Sequence, residues 1–222
     1  MNLDWICHDP VFETDALSPL FRSESAWRGH LRFGYDFIRN ARPATVVELG
    51  THYGASFFSF CQGAKDGSPD TRLHAVDSWE GDFHSGAYGS EVFQLVSRAA
   101  ALYPQAALHR AAFDEALDAF ADGSIDLLHI DGLHTYEAVR RDYESWLPKL
   151  AGDGIVLLHD TEVRIADFGV WKLWRELSGQ HPAKAFQHSA GLGILAPKGL
   201  SAAANSLFAE WQSLNRYYAD TE

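Results

Sequence analysis

Four carboxylates fall where short apolar runs end, at Glu48, Asp77, Asp131 and Asp160, and chemistry is placed most readily at such positions. Glu48 closes the β-branched run Thr45-Val46-Val47, which suits a buried strand better than the start of a helix. A carboxylate there must find donors, since an unpaired buried charge costs several kcal/mol. A ligand carrying hydroxyls would supply them. Gly50 and Gly54 follow, where the backbone can turn tightly and approach a ligand, and a helix beginning at Ala55 turns its free amides toward the same loop. Asp77 ends a second run, Arg72 to Val76, and an acid at the tip of a second strand is where such folds hold a ribose diol. Asp131 closes Ile125 to Ile130, and Asp160 closes Gly154 to His159. Neighbouring parallel strands place equivalent ends side by side, so Asp131 and Asp160 converge, and two oxygen ligands there suit Mg²⁺ or another hard divalent ion.

Strand, glycine loop and helix in that order make a nucleotide-type site, and the spacing narrows which one. Glu48-Leu-Gly-Thr-His-Tyr-Gly-Ala-Ser56 has His52 where a dinucleotide fingerprint needs its middle glycine, and no Gly-Lys-Ser/Thr follows to make a P-loop. An adenosine site without a strong phosphate cradle remains. At this motif the chain resembles the class I S-adenosylmethionine-dependent methyltransferases, and it looks most like their metal-dependent catechol-type and macrolide-sugar O-methyltransferase branches. The resemblance covers roughly residues 44 to 196 and is strongest at the glycine motif and at Ile130 to Asp160.

The resemblance implies an α/β, Rossmann-like fold: a mostly parallel seven-stranded sheet with a C-terminal antiparallel hairpin and helices on both faces. It implies S-adenosylmethionine lying over Gly50, Thr51, Tyr53, Gly54 and Ser56, with Glu48 and Asp131 nearby, Asp77 on the ribose and Phe113 beside the adenine. Ser78 and Trp79 open a loop, continued by Asp82, His84 and Tyr88, of a kind that contacts cofactor or acceptor in similar methyltransferases. The metal positions of the catechol enzymes correspond to Asp131 and Asp160-Thr161, with Thr161 replacing their Asn. Those enzymes carry a basic residue three positions past the first metal Asp, and this chain has His134 there. A neutral imidazole, with an unperturbed pKa near 6.5, suits a general base working with Asp131. The Asp-Ser-Trp-Glu-Gly-Asp and Ile-Asp-Gly-Leu-His-Thr-Tyr segments look most like the sugar-associated branch, which implies a sugar or glycosylated natural product as acceptor.

The rest of the chain must position these groups. Residues 1–23 read as an irregular arm and 23–42 as a helix ended by Pro43, so 1–43 packs on a cofactor-binding domain at 44–198, with a C-terminal helix in 199–222. Helices are expected over 90–103, 115–120, 136–147, 166–178 and 200–218, and a hairpin over 183–196. Leu207, Trp211 and Leu214 on the last helix would cover the core or a second copy in a homo-oligomer.

At 222 residues and 46% hydrophobic content the chain can bury one sizeable core. A net charge of -12 leaves no basic stripe for nucleic acid. Two distant cysteines, no apolar leader and no apolar run of membrane-spanning length imply a soluble cytoplasmic protein. Two other functions compete. His129, Asp131, His134, His159 and Asp160 could form a metallohydrolase cluster, against which stands the alternation that sends adjacent strand residues such as His159 and Asp160 to opposite faces. A module that binds the cofactor and methylates nothing is the other.

Overall fold

The computed structural model describes residues 5–23 and 25–219. Its centre is a seven-stranded sheet built from β1 (Thr45–Leu49), β2 (Arg72–Asp77), β3 (Ala106–Arg110), β4 (Ile125–Ile130), β5 (Leu150–His159), β6 (Ala183–Phe186) and β7 (Leu192–Leu195). The order across the sheet is β3-β2-β1-β4-β5-β7-β6. The first five strands run parallel, β7 adds antiparallel to β5, and β6 pairs antiparallel with β7 at the edge, so that β7 alone runs against the rest. This is the Rossmann-like order with the terminal hairpin that the sequence implies.

The central strands are buried on both faces. Val46, Leu73, Leu127 and Leu157 join one apolar cluster, which includes residues of helices 31–41, 55–67, 90–100 and 211–219. Val47, Val76, Leu128 and Leu158 join the other, with residues of helices 136–146 and 170–178. One-residue alternation along each strand divides the two sets.

The strand order reverses between β1 and β4, so the chain leaves these neighbours in opposite directions and opens a crevice at their carboxyl ends. Gly50 makes the approach of the two loops tight. It has φ +87°, and a Cβ there would lie 2.2 Å from the carbonyl oxygen of Asp131. Its missing side chain therefore makes room for the neighbouring backbone rather than for a ligand.

Several boundaries differ from the sequence reading: the helix expected over 23–42 is a 3-10 turn at Ala26–His30 and a helix at Leu31–Ala41, and those expected over 90–103 and 115–120 are Ser90–Ala100 and Phe113–Ala116. The helix expected from Ala166 begins at Val170. Ala166 has φ +47°, outside the helical region, and a Cβ on Gly169 would lie 2.4 Å from the amide nitrogen of Tyr136, so 161–169 is a loop pressed against the start of helix 136–146. The last helix is two, Ala202–Ala209 and Trp211–Ala219, separated at Glu210, whose carboxylate accepts from the Trp5 amide. The 78–89 loop contains a short antiparallel pair, 81–82 with 86–87. In the N-terminal arm, Trp5 donates to the Tyr218 hydroxyl at 2.9 Å, which itself donates to buried Asp36 at 2.7 Å, so arm and last helix close one end of the core together. No helix among the described residues is long and apolar enough to cross a membrane.

Candidate active site

A cavity of about 490 Å³ lies at the carboxyl ends of the parallel strands. One end is built on the glycine loop, where Gly50, Thr51, Tyr53, Gly54 and Ser56 line it together with Asp77 and Ser78. Asp77 is 7% exposed and accepts three backbone amides, from Thr51 at 2.8 Å, His52 at 2.9 Å and Trp79 at 2.7 Å. The loop after β1 is thus tied to the tip of β2 through one carboxylate. Phe113 and Gly132 line the next part of the wall, and a Cβ on Gly132 would strike the Phe113 ring at 2.5 Å.

Two residues assigned to the cofactor lie elsewhere. Glu48 is fully buried and outside the cavity lining, and its Oε2 takes the Nδ1 proton of His129 at 2.8 Å. Its donor is a protein side chain because Glu48 and His129 are register partners on β1 and β4. Trp79 is 1% exposed and turned inward against Phe93, with its indole N–H on the His52 carbonyl at 3.0 Å. A φ of +53° at Trp79 swings its side chain away from the cavity.

The other end of the cavity holds Asp131, His134, His159 and Asp160. His134 Nε2 lies 2.9 Å from Asp160 Oδ2 and 3.7 Å from Asp131 Oδ1. His159 Nδ1 lies 3.2 Å from Asp131 Oδ1 and 3.3 Å from Asp160 Oδ2. The strand alternation used against this grouping fails because Asp160, just past the end of β5, has φ +60°, which turns its carboxylate back toward the His159 ring.

Burial opposes charge on all four groups, and their mutual contacts outweigh it. Hydrogen bonds donated to Asp131 and Asp160, and the charges of these carboxylates, raise His134 from 6.5 to about 10. The same carboxylates raise His159 well above its ordinary value, while the two imidazoles hold Asp131 and Asp160 below the usual carboxylate range. His134 is therefore an imidazolium at neutral pH rather than the neutral base that its type predicted.

The donors present fit a divalent cation. Asp131, His134 and Asp160 each bring one ligand atom within 4.8 Å of the others, and the imidazolium charges stand where a cation would balance the two carboxylates. Thr161 does not line the cavity; its buried Oγ1 faces Gly191, at 2.5 Å from where a Cβ there would lie.

Two loops meet above this end. His84, from the 78–89 loop, bonds Asp167 at 2.8 Å and brings its Nδ1 to 3.4 Å from that of His134. Phe168 stacks on the His134 ring at 4.8 Å with an interplanar angle of 5°. Asp167 and Phe168 were missed in the sequence because the apolar residues after them extend a helical pattern backward through 166–169. Ser25 and Arg141, also in the lining, gave no signal beyond a helix cap and a charged helix face.

A family model described as a methyltransferase domain matches residues 47–161. An uncharacterized protein, y4gI of Sinorhizobium fredii, is 47% identical over 176 residues, covering 79% of this chain and 19% of that protein. The chain thus spans about a fifth of the length of the curated relative it matches. Among solved structures, a methyltransferase from Geobacter sulfurreducens matches with a TM-score of 0.63 at 17% identity over 85% of this chain and 91% of its own. The O-methyltransferase TomG from Streptomyces achromogenes, involved in tomaymycin synthesis and solved in complex with SAM, matches with a TM-score of 0.60 at 14% identity over 87% and 92%.

Proposed function

The chain belongs to the methyltransferase-domain family, and from that premise we propose that it transfers the methyl group of S-adenosylmethionine to a hydroxyl oxygen of a small acceptor, a sugar or glycosylated natural product. The observation that carries this reading is the two-ended cavity: the glycine loop and Asp77 form one end, and His134 sits between Asp131 and Asp160 at the other.

The cofactor's ribose hydroxyls would lie on Asp77, which keeps acceptor capacity beyond its three amides. Its methionine carboxylate would face the first amides of helix 55–67, beside Gly54, Ala55 and Ser56. Phe113 would lie against the adenine. The acceptor enters beneath the 78–89 and 161–169 loops, where Asp82 and Ser85 offer partners for sugar hydroxyls. A divalent cation on Asp131 and Asp160, when bound, would neutralise the carboxylates that hold His134 protonated and polarise the acceptor hydroxyl. His134, once its Nε2 proton has been released to solvent, takes the hydroxyl proton at that nitrogen. The oxygen attacks the sulfonium methyl in line, the O–C bond forms as the S–C bond breaks, and S-adenosylhomocysteine leaves. Holding the reactants at attack distance contributes most of the rate.

A hydrolase would leave Asp77 and the glycine loop without a role, and the family match opposes it. The test is calorimetric titration with S-adenosylhomocysteine, with and without Mg²⁺ and after chelation, followed by an acceptor screen among sugars and glycosides. Micromolar binding and methyl transfer are expected. Absence of binding in every condition overturns the reading, and a His134→Ala variant that binds and methylates like the wild type removes His134 from it.

A further inference from the structure

His159 is buried at 4% exposure, and both of its ring nitrogens are committed. Nε2 lies 3.1 Å from the backbone carbonyl of Ser189. A carbonyl only accepts, so Nε2 carries a proton and Nδ1 is the nitrogen that faces Asp131 and Asp160. A ligating histidine is normally held this way, its second N–H fixed by a carbonyl behind it. Nδ1 is almost equidistant from the two carboxylates, at 3.2 and 3.3 Å. Donor atoms around one ion with bonds of about 2.1 Å sit about 3.0–3.4 Å apart.

His134 reaches the same carboxylates differently. Its distances are unequal, 2.9 and 3.7 Å, its ring is stacked on Phe168 nearer the mouth, and its other nitrogen faces His84. The deep imidazole has the geometry of a ligand, and the outer one has the access of a base. Thr161, at the position of the amide ligand in the catechol enzymes, lies outside the cavity lining.

We infer that His159 Nδ1, Asp131 and Asp160 hold a divalent transition-metal ion of the Mn²⁺, Fe²⁺, Co²⁺ or Zn²⁺ class in preference to Mg²⁺. Mg²⁺ takes oxygen donors in a strict octahedron and keeps much of its water, whereas an imidazole nitrogen beside two carboxylates suits the first-row ions. When an ion is bound, Nδ1 would offer it a lone pair, and the Ser189 carbonyl, on Nε2, would keep the ring in place. This deepens the proposed function, because the ion would lie beside the acceptor hydroxyl, but ion binding can be measured without any methyl transfer.

The experiment uses the chelator-stripped full chain, titrated separately with Co²⁺, Mn²⁺ and Mg²⁺, and follows the visible spectrum of Co²⁺ and heats of binding. Co²⁺ should bind at least about tenfold more tightly than Mg²⁺. His159→Ala should weaken Co²⁺ more than about 100-fold, whereas His134→Ala should leave it within a few fold. Should His159→Ala fail to fold, pulsed EPR of the Cu²⁺-loaded wild type and His134→Ala proteins decides instead. An imidazole nitrogen signal that survives in His134→Ala supports His159. Equal affinity for Mg²⁺ and Co²⁺, or a nitrogen signal lost with His134, overturns the inference. S-adenosylhomocysteine titrated into the same samples separates the two readings. Cofactor binding without ion binding overturns the metal site alone, and ion binding without cofactor binding overturns methyl transfer alone.

Discussion

Glu48 and His129 face each other across β1 and β4 at 2.8 Å, both fully buried, and His129 Nε2 accepts the indole proton of Trp27 at 3.1 Å. The Trp27 indole only donates, so the His129 ring carries its proton on Nδ1 and gives it to Glu48. The chain of bonds ties the turn 26–30, next to cavity-lining Ser25 and Ala26, to the centre of the sheet.

Removing His129 strands a buried carboxylate that already has one oxygen, Oε1, without a hydrogen-bond partner among the described residues. His129→Leu should therefore cost about 2–4 kcal/mol in urea unfolding. Glu48→Gln, which keeps an acceptor for His129 and removes the charge, should cost far less. The folded Glu48→Gln protein should bind S-adenosylhomocysteine as the wild type does. A large loss of affinity at normal stability would return Glu48 to the cofactor site.

Asp77 is the opposite case, a carboxylate that both orders the glycine loop and lines the cavity. Asp77→Ala should lower S-adenosylhomocysteine affinity at least about tenfold, or 1.4 kcal/mol. Asp77→Asn, retaining one acceptor oxygen, should fall between it and the wild type. Calorimetry on the three proteins checks the order, and equal affinities would exclude Asp77 from cofactor binding.

Asp142 lies 3% exposed behind Gly132, and burial raises its carboxyl from 3.8 to about 7, with Asp114 adding to the shift and Arg141 opposing it. Its folded pKa is above the unfolded value, so its contribution to stability is fully present below pH 3.8 and is lost as pH rises through about 7. Asp142→Asn removes that loss. The variant should gain on the order of a few kcal/mol over the wild type at about pH 8, less than about half of that at about pH 5, and little or nothing only below about pH 3.5. Thermal denaturation at the two pH values reads the difference, and a gain of equal size at both would rule out titration of Asp142 as the cause.

The individual strands and the terminal hairpin were legible in the sequence because strand formation leaves local marks, β-branched runs, alternation, and glycines where the chain must turn, whereas the parallel seven-stranded arrangement was implied by the resemblance to a known family. The same marks placed Gly50 to Ser56, Asp77, Asp131, His134 and Asp160 at the carboxyl edge, and all of those that line the cavity do so from strand ends, the turns after them or the first turn of helix 55–67. What each polar group touches was not legible, because that depends on register and on single backbone angles. Glu48 met His129 because β1 and β4 align these two positions. His159 joined Asp160 because one residue past the strand adopts φ +60°. His134 became an imidazolium because two carboxylates far apart in sequence converge on it, a charge balance that no single segment of the chain contains.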